Sequence, residues 1–379
     1  RPDPQVRAYI DAENDYTEAK TAHLAALRDT LAQEVIGRMK EDDVGTPVDY
    51  GPWVYVERTE AGKDYPVLCR NRAGSKRFED ILDRNALAEG HDYLKVGAYA
   101  PSPDHRYLAY CVDYDGRERY TIFIKDLVTG KTSQASLANT DTSLAWASDC
   151  HTLFYVTRDE ITNTPDTLFR HTLGDAPEAG KRVLHEDDLR FTVEVLRSRS
   201  SEYIVLLCES RRTSEVWVLK ADEPEGSFRC LAPRQHGMLY FAHHHTTRMG
   251  VGRFFILTDY APDSKGEQTQ AAYNFRLMKC PEGGSSTEDW EEVIPHNPDR
   301  HIKDVESFQD HLVLVGRQKG LPQIWILDLE TMVERQVALR ESSYGLWLEQ
   351  NPDYHTRALT FGFSSLRQPR TIVREPLRG

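Results

Sequence analysis

A serine nucleophile presented on a strand-to-helix elbow takes the form Gly-x-Ser-x-Gly, because small flanking residues are needed at so sharp a turn. The 379-residue chain contains no such segment. Gly283-Gly284-Ser285-Ser286-Thr287 lacks the second flanking glycine and reads as a loop between strands. His243-His244-His245 is superficially a metal site. Successive strand residues point to opposite faces, so three in a row cannot all meet one ion; the run reads as a solvated turn or strand. Glu186-Asp187-Asp188 lacks the alternating oxygen ligands and the glycine of a calcium loop and reads as a connecting loop. Arg211-Arg212 is an isolated basic pair, expected to be exposed. Trp146, Trp217 and Trp325 lie in strand-like runs and read as core. No phosphate-cradling Gly-rich loop and no dinucleotide fingerprint is present. These residues assign no catalytic group, no metal and no cofactor, and they identify no substrate-binding residue.

Composition narrows the class. Hydrophobic residues make up 39% and charged residues 28%, the balance of a soluble globular protein. A net charge of -13 argues against nucleic acid or an anionic membrane as partner. The 6 cysteines are scattered, with no CxxC pair, and read as small buried hydrophobes in a reducing compartment. No window is long and apolar enough to span a membrane, and no secretory signal is visible, so a cytoplasmic location is expected.

The elements that must position any site fall into two textures. Asp3 can cap a helix and Pro4 suits its first turn. Val6, Ile10, Leu24, Leu27, Leu31 and Val35 then recur at roughly helical spacing up to about Lys40. The spacing predicts one long helix, or two with a break near Tyr16 to Thr21, bearing an apolar stripe that must dock on something. Beyond Asp43 the pattern is turn, short apolar strand, turn, strand. It is clearest from Leu94 to Gly130 and repeats inexactly every 45–50 residues, about seven times. Each such meander has two apolar faces, and only neighbours on both sides cover them. The fold class is therefore all-β: a seven-bladed β-propeller over residues 44–379, preceded by an N-terminal α-helical segment over 1–43. A large sandwich or solenoid is the alternative, and WD40 repeats are not read because their Gly-His and Trp-Asp pairs are missing. The last blade has room for three strands and hardly a fourth.

The chain resembles the N-terminal part of oligopeptidase B, in the prolyl oligopeptidase family of serine peptidases. The resemblance rests on an ordered set. Val6-Arg-Ala-Tyr-Ile-Asp-Ala-Glu-Asn-Asp-Tyr-Thr looks like the family's leading helix, and Gly51-Pro-Trp and Tyr65-Pro look like the entry to its propeller. Leu82-Asp-Arg-Asn-Ala-Leu-Ala-Glu-Gly-His-Asp-Tyr is the most specific stretch. Trp146-Ala-Ser-Asp, Arg170-His-Thr-Leu-Gly, Thr213-Ser-Glu-Val, Trp290-Glu-Glu-Val-Ile-Pro and Phe363-Ser-Ser-Leu follow in order. The resemblance implies a propeller that covers an α/β-hydrolase domain, filters out folded proteins and admits short peptides. Cleavage after Arg or Lys is implied, by a Ser-His-Asp set in that other domain. No residue of this chain matches that set, so none is carried over, and the chain by itself is expected to be inactive. Its expected partners are the C-terminal hydrolase domain and short peptides, basic ones included; no nucleic acid and no membrane. The chain is expected to be a fragment ending where the hydrolase domain would begin, its leading helix deprived of its docking surface. A free-standing peptide- or protein-binding propeller is the second reading. A propeller with its own active site is the third.

Overall fold

The structure, a computed structural model, describes residues 3–133, 136–262, 268–269 and 271–378. A helix over Pro4–Thr21 opens the chain, with the Asp3 carboxylate accepting from Gln5 N–H at 2.8 Å and Pro4 in the first turn. One 3-10 turn, Ala22–Leu24, separates it from a second helix, Ala25–Ile36. The break thus falls just beyond the expected place. No residue of either helix is buried.

The remainder is an all-β propeller. Its strand pairs are antiparallel and form six hydrogen-bonded sheets among the described residues. The first holds Asp43–Val44, Val48–Tyr50, Trp53–Thr59, Val67–Arg72 and Glu79–Asp83. The second has seven strands, from Lys95–Pro101 to Lys181–His185. The third runs from Thr192–Arg197 to Arg229–Cys230, the fourth from Tyr240–Thr246 to Glu291–Ile294, and the fifth from Arg300–Ser307 to Glu334–Gln336. The sixth has three strands, Gly345–Leu348, Ala358–Ser364 and Thr371–Pro376, as its short sequence allowed. The hydrogen bonding does not separate seven sheets. Within the second sheet the two halves join only at Tyr120↔Thr140 and Ile122↔Leu137, across a register irregularity.

Apolar side chains run almost continuously along the central strands and fill the spaces between sheets, as burial of both faces requires. Tyr55 and Leu68 meet Leu108 and Tyr110; Phe154 and Val156 meet Ile204 and Leu206; Val205 and Val218 meet Phe254 and Ile256. Phe255 and Leu257 meet Leu312 and Leu314, and Val313 and Ile324 meet Leu359 and Phe361. Ala109, Cys111 and Ile122 likewise meet Trp146, Leu153 and Tyr155 across the two halves of the second sheet. The junction of first and sixth sheets differs. Among the described residues no core cluster combines them, and a cavity of about 280 Å³ lies there between Val56, Leu68, Glu349 and Thr360. Arg374 Nη2 spans the seam to Asp49 Oδ2 at 3.0 Å.

The stretch from Leu82 to Tyr93 also has a structural role. Asp83 caps the short helix Arg84–Ala88 through Asn85 N–H at 2.9 Å, and the Asn85 amide pairs both ways with the backbone of Tyr65, at 2.8 and 3.0 Å. Four of the six cysteines are buried and all six are free; burial pushes the Cys69 and Cys208 thiols up to about 12.

Candidate functional site

The first strand of each four-stranded sheet is an edge strand, and neighbouring inner strands meet, Ser143 Oγ donating to Val195 C=O at 2.8 Å and accepting from its N–H at 2.6 Å; in a propeller these strands line the axial channel. In Thr192–Arg197, Val193 and Val195 are buried while Thr192, Glu194 and Leu196 are exposed. Two adjoining cavities, of about 380 and 520 Å³, occupy one mouth of this channel and share Tyr50, Arg197, Arg199 and Pro352. His243, Asp304 and Glu306 line the smaller; Tyr99, Trp146 and His105 line the larger. Arg197 anchors this mouth through its two terminal nitrogens, donating to Trp146 C=O at 2.9 Å, Ser201 C=O at 2.8 Å and Ser148 Oγ at 3.0 Å. Arg199 pairs with Glu306 and lies over the Phe308 ring. Burial raises the Glu306 carboxyl despite that guanidinium, and burial lowers His243. Glu194 is open to the channel, yet the surrounding channel wall strips enough water to raise its carboxyl, helped by the charge of Asp141.

A strap crosses this mouth. The connection from Glu349 to Arg357 leaves the first strand of the sixth sheet, and its Pro352 lines both of these cavities. Tyr354 donates to Thr246 C=O at 2.9 Å and accepts from Thr246 N–H at 3.0 Å, while its own carbonyl accepts from Gln309 N–H at 3.0 Å. The sixth sheet thereby holds the fourth and fifth. Asn351 fixes the strap's root by accepting from Thr360 N–H at 2.7 Å and donating to Thr360 C=O at 2.9 Å. Nothing in the composition of this segment singles it out; Asn-Pro-Asp reads as an ordinary turn.

The candidates singled out in the sequence are dispersed. Glu186 is in the loop between second and third sheets and accepts from Arg234 Nη2 at 2.6 Å, an arginine also held by Glu215. Asp188 is clamped by Arg190, which holds its carboxyl down at about 2. Arg211 and Arg212 are exposed. Trp146 and Trp325 are buried and Trp217 half-buried, as core. The Gly283–Ser286 segment is a loop before the capping box of Ser286 and Asp289.

The histidine run corrects its reading. It is a strand, Tyr240–Thr246, but not a solvated one: His244 is 1% and His245 2% exposed. An innermost strand has a neighbouring sheet on each face, and ring nitrogens find partners there. His245 Nε2 stands 3.0 Å from Gln309 C=O, toward the fifth sheet. His244 turns toward the third sheet, its Nδ1 2.7 Å from Ser200 Oγ and its Nε2 2.9 Å from Glu282 Oε1. A hydroxyl, an imidazole and a carboxylate in series resemble a nucleophile with its base and orienter. The other half of an acyl-transfer site, paired backbone donors for an oxyanion, is not offered by this turn. Ser201 N–H bonds Ser198 C=O at 2.8 Å, Tyr203 N–H bonds Ser198 Oγ at 3.0 Å, and Glu202 N–H is directed at Ser200 Oγ at 3.4 Å. Ser200 serves the turn and the ring of His244.

Residues 1–377 match the family model described as prolyl oligopeptidase, N-terminal beta-propeller domain. The chain is 33% identical to dipeptidyl aminopeptidase BI of Pseudoxanthomonas mexicana, over 98% of this chain and 51% of that protein. It is 30% identical to protease 2 of Moraxella lacunata, over 98% and 52%. Among solved structures, oligopeptidase B from Leishmania major superposes with a TM-score of 0.89 at 27% identity, over 99% of this chain and 53% of that one. Oligopeptidase B from Trypanosoma brucei, closed and with covalently bound antipain, gives 0.87 at 26% identity. The chain spans about half the length of the relatives it matches.

Proposed function

The chain belongs to the prolyl oligopeptidase family through its N-terminal β-propeller domain, and from that membership we propose that it is the non-catalytic, substrate-filtering half of a serine oligopeptidase. On this reading an α/β-hydrolase domain supplies the nucleophile, its histidine base and the aspartate that orients it. The propeller roofs that site and keeps folded proteins out. Short peptides cleaved after Arg or Lys are the proposed substrates. The six free cysteines are compatible with a reducing, cytoplasmic setting.

The observation that carries the reading is the leading helical pair. Val6, Tyr9, Ile10, Leu27, Leu31 and Val35 are all about half or more exposed. So long an uncovered apolar stripe is costly in water unless a partner covers it. The hydrolase domain is the proposed cover, with residues 1–43 as the docking segment and 44–379 as the ring. The ring itself we count as seven blades: the two halves of the second sheet share a face-to-face core, as separate sheets do. The strap then closes one mouth of the channel, so peptides would enter from the hydrolase side.

Reading the source gene beyond Gly379 tests this. A continuing frame with a Gly-x-Ser-x-Gly elbow is expected. A stop codon there would favour a free-standing binding propeller.

A further inference from the structure

We propose that Glu202, His244 and Glu282 form a divalent-metal site, with zinc as its ion, that clasps the third sheet to the fourth. Their ligand atoms all lie within 4.8 Å of one another, the one such group found among the described residues. They come from three places: the first turn of the third sheet, the innermost strand of the fourth, and the residue after that sheet's third strand. The inference is independent of the peptidase reading.

Three features go beyond proximity. Ser200 Oγ holds His244 Nδ1 at 2.7 Å, leaving Nε2 to face the carboxylates; a metal-bound histidine is typically fixed through its other nitrogen in this way. His244 Nε2 and Glu282 Oε1 are 2.9 Å apart. Two ligands at about 2.0–2.1 Å on a tetrahedral zinc stand roughly 3.3 Å apart, so this pair needs to part by only a few tenths of an ångström, while the exposed Glu202 side chain, within 4.8 Å, swings in to complete the set. Gly252 also keeps space for Glu282: a Cβ there would lie 2.2 Å from Glu282 Oε1. The donor set, one imidazole and two carboxylates, suits zinc better than magnesium, which favours all-oxygen octahedra. Glu202 is exposed, giving the ion a way in and leaving room for water as fourth ligand. The histidine run does not act as a set; one of its members pairs with glutamates that are 42 and 38 residues away in sequence.

The test uses the whole chain, stripped with EDTA and dialysed. Isothermal titration with ZnCl2 should show one ion per chain, and the unfolding temperature should rise as zinc is added. Glu202→Gln alters only an exposed side chain, so the variant should fold as before and bind zinc at least tenfold more weakly. Ser200→Ala, which frees the ring, should weaken binding about 10–100-fold. No saturable zinc binding by the unaltered chain would overturn the proposal, leaving His244 and Glu282 as a hydrogen-bonded pair. Equal affinity in both variants would also overturn it, because the ion would then sit on other histidines or cysteines. So would an equal rise in unfolding temperature with MgCl2.

Discussion

One phenol, that of Tyr354, satisfies both backbone groups of Thr246. Tyr354→Phe keeps the ring but leaves a half-buried N–H and C=O of Thr246 without this partner. Leaving a buried polar group unpaired costs about 1–3 kcal/mol. The variant should therefore unfold at lower urea concentration with an unchanged slope. Gly316 is constrained differently. A Cβ there would stand 1.9 Å from His301 C=O, beside the bulge between Ile302 and Asp304. Gly316→Ala should destabilise by about 1–3 kcal/mol or more, because a strand backbone has to move. Urea titration of both variants checks these figures.

The elements divide by what determines them. The strands were legible because short β-branched and aromatic runs between Pro, Asp and Gly turns leave little choice, and the three strands of the sixth sheet match the room its sequence offered. The helix start was legible in Asp3 and Pro4. The strap was not, because Asn351 and Tyr354 acquire meaning only from Thr360 and Thr246, the latter 108 residues away in sequence. Nor was the burial of His244 and His245, since sequence does not say that their strand is innermost. The seven-stranded sheet depends on two bridges whose register is irregular, which no spacing foretells. At this scale the helical pair yields a prediction. Leu27→Ser with Leu31→Ser touches no buried residue of the chain, so its unfolding free energy should stay within about 0.5 kcal/mol per site. The same pair of changes should weaken association with a hydrolase domain, read by size-exclusion chromatography of the mixture.

For the molecule as a whole, the seam between first and sixth sheets is the weak point. Its Asp49–Arg374 pair is exposed on both sides, and such pairs contribute about 0–1 kcal/mol. The strap does not relieve this seam, because its bonds to Thr246 and Gln309 run to the fourth and fifth sheets. Acid should find a second weakness. Burial lowers His105, to about 4, and also His171, His301 and His311. For each, the folded pKa lies below the unfolded value of about 6.5, so the unfolded chain binds more protons in between. Their contribution is present above about pH 6.5 and is lost as the pH falls toward 4. Raised Glu194, Glu209 and Glu306 act in the opposite sense, favouring the folded state while they hold their protons. Urea midpoints should drop between pH 6.5 and 4, and His105→Gln should flatten that drop; a midpoint independent of pH there would refute the histidine assignment.

On the proposed function, this ring performs no peptide chemistry of its own. The most direct measurement incubates the purified chain with an Arg-terminated chromogenic peptide and, separately, with a fluorophosphonate that labels activated serines. No turnover and no label are expected. Turnover that the fluorophosphonate abolishes, with label on Ser200 that is absent from Ser200→Ala, would instead place the chemistry in the ring itself.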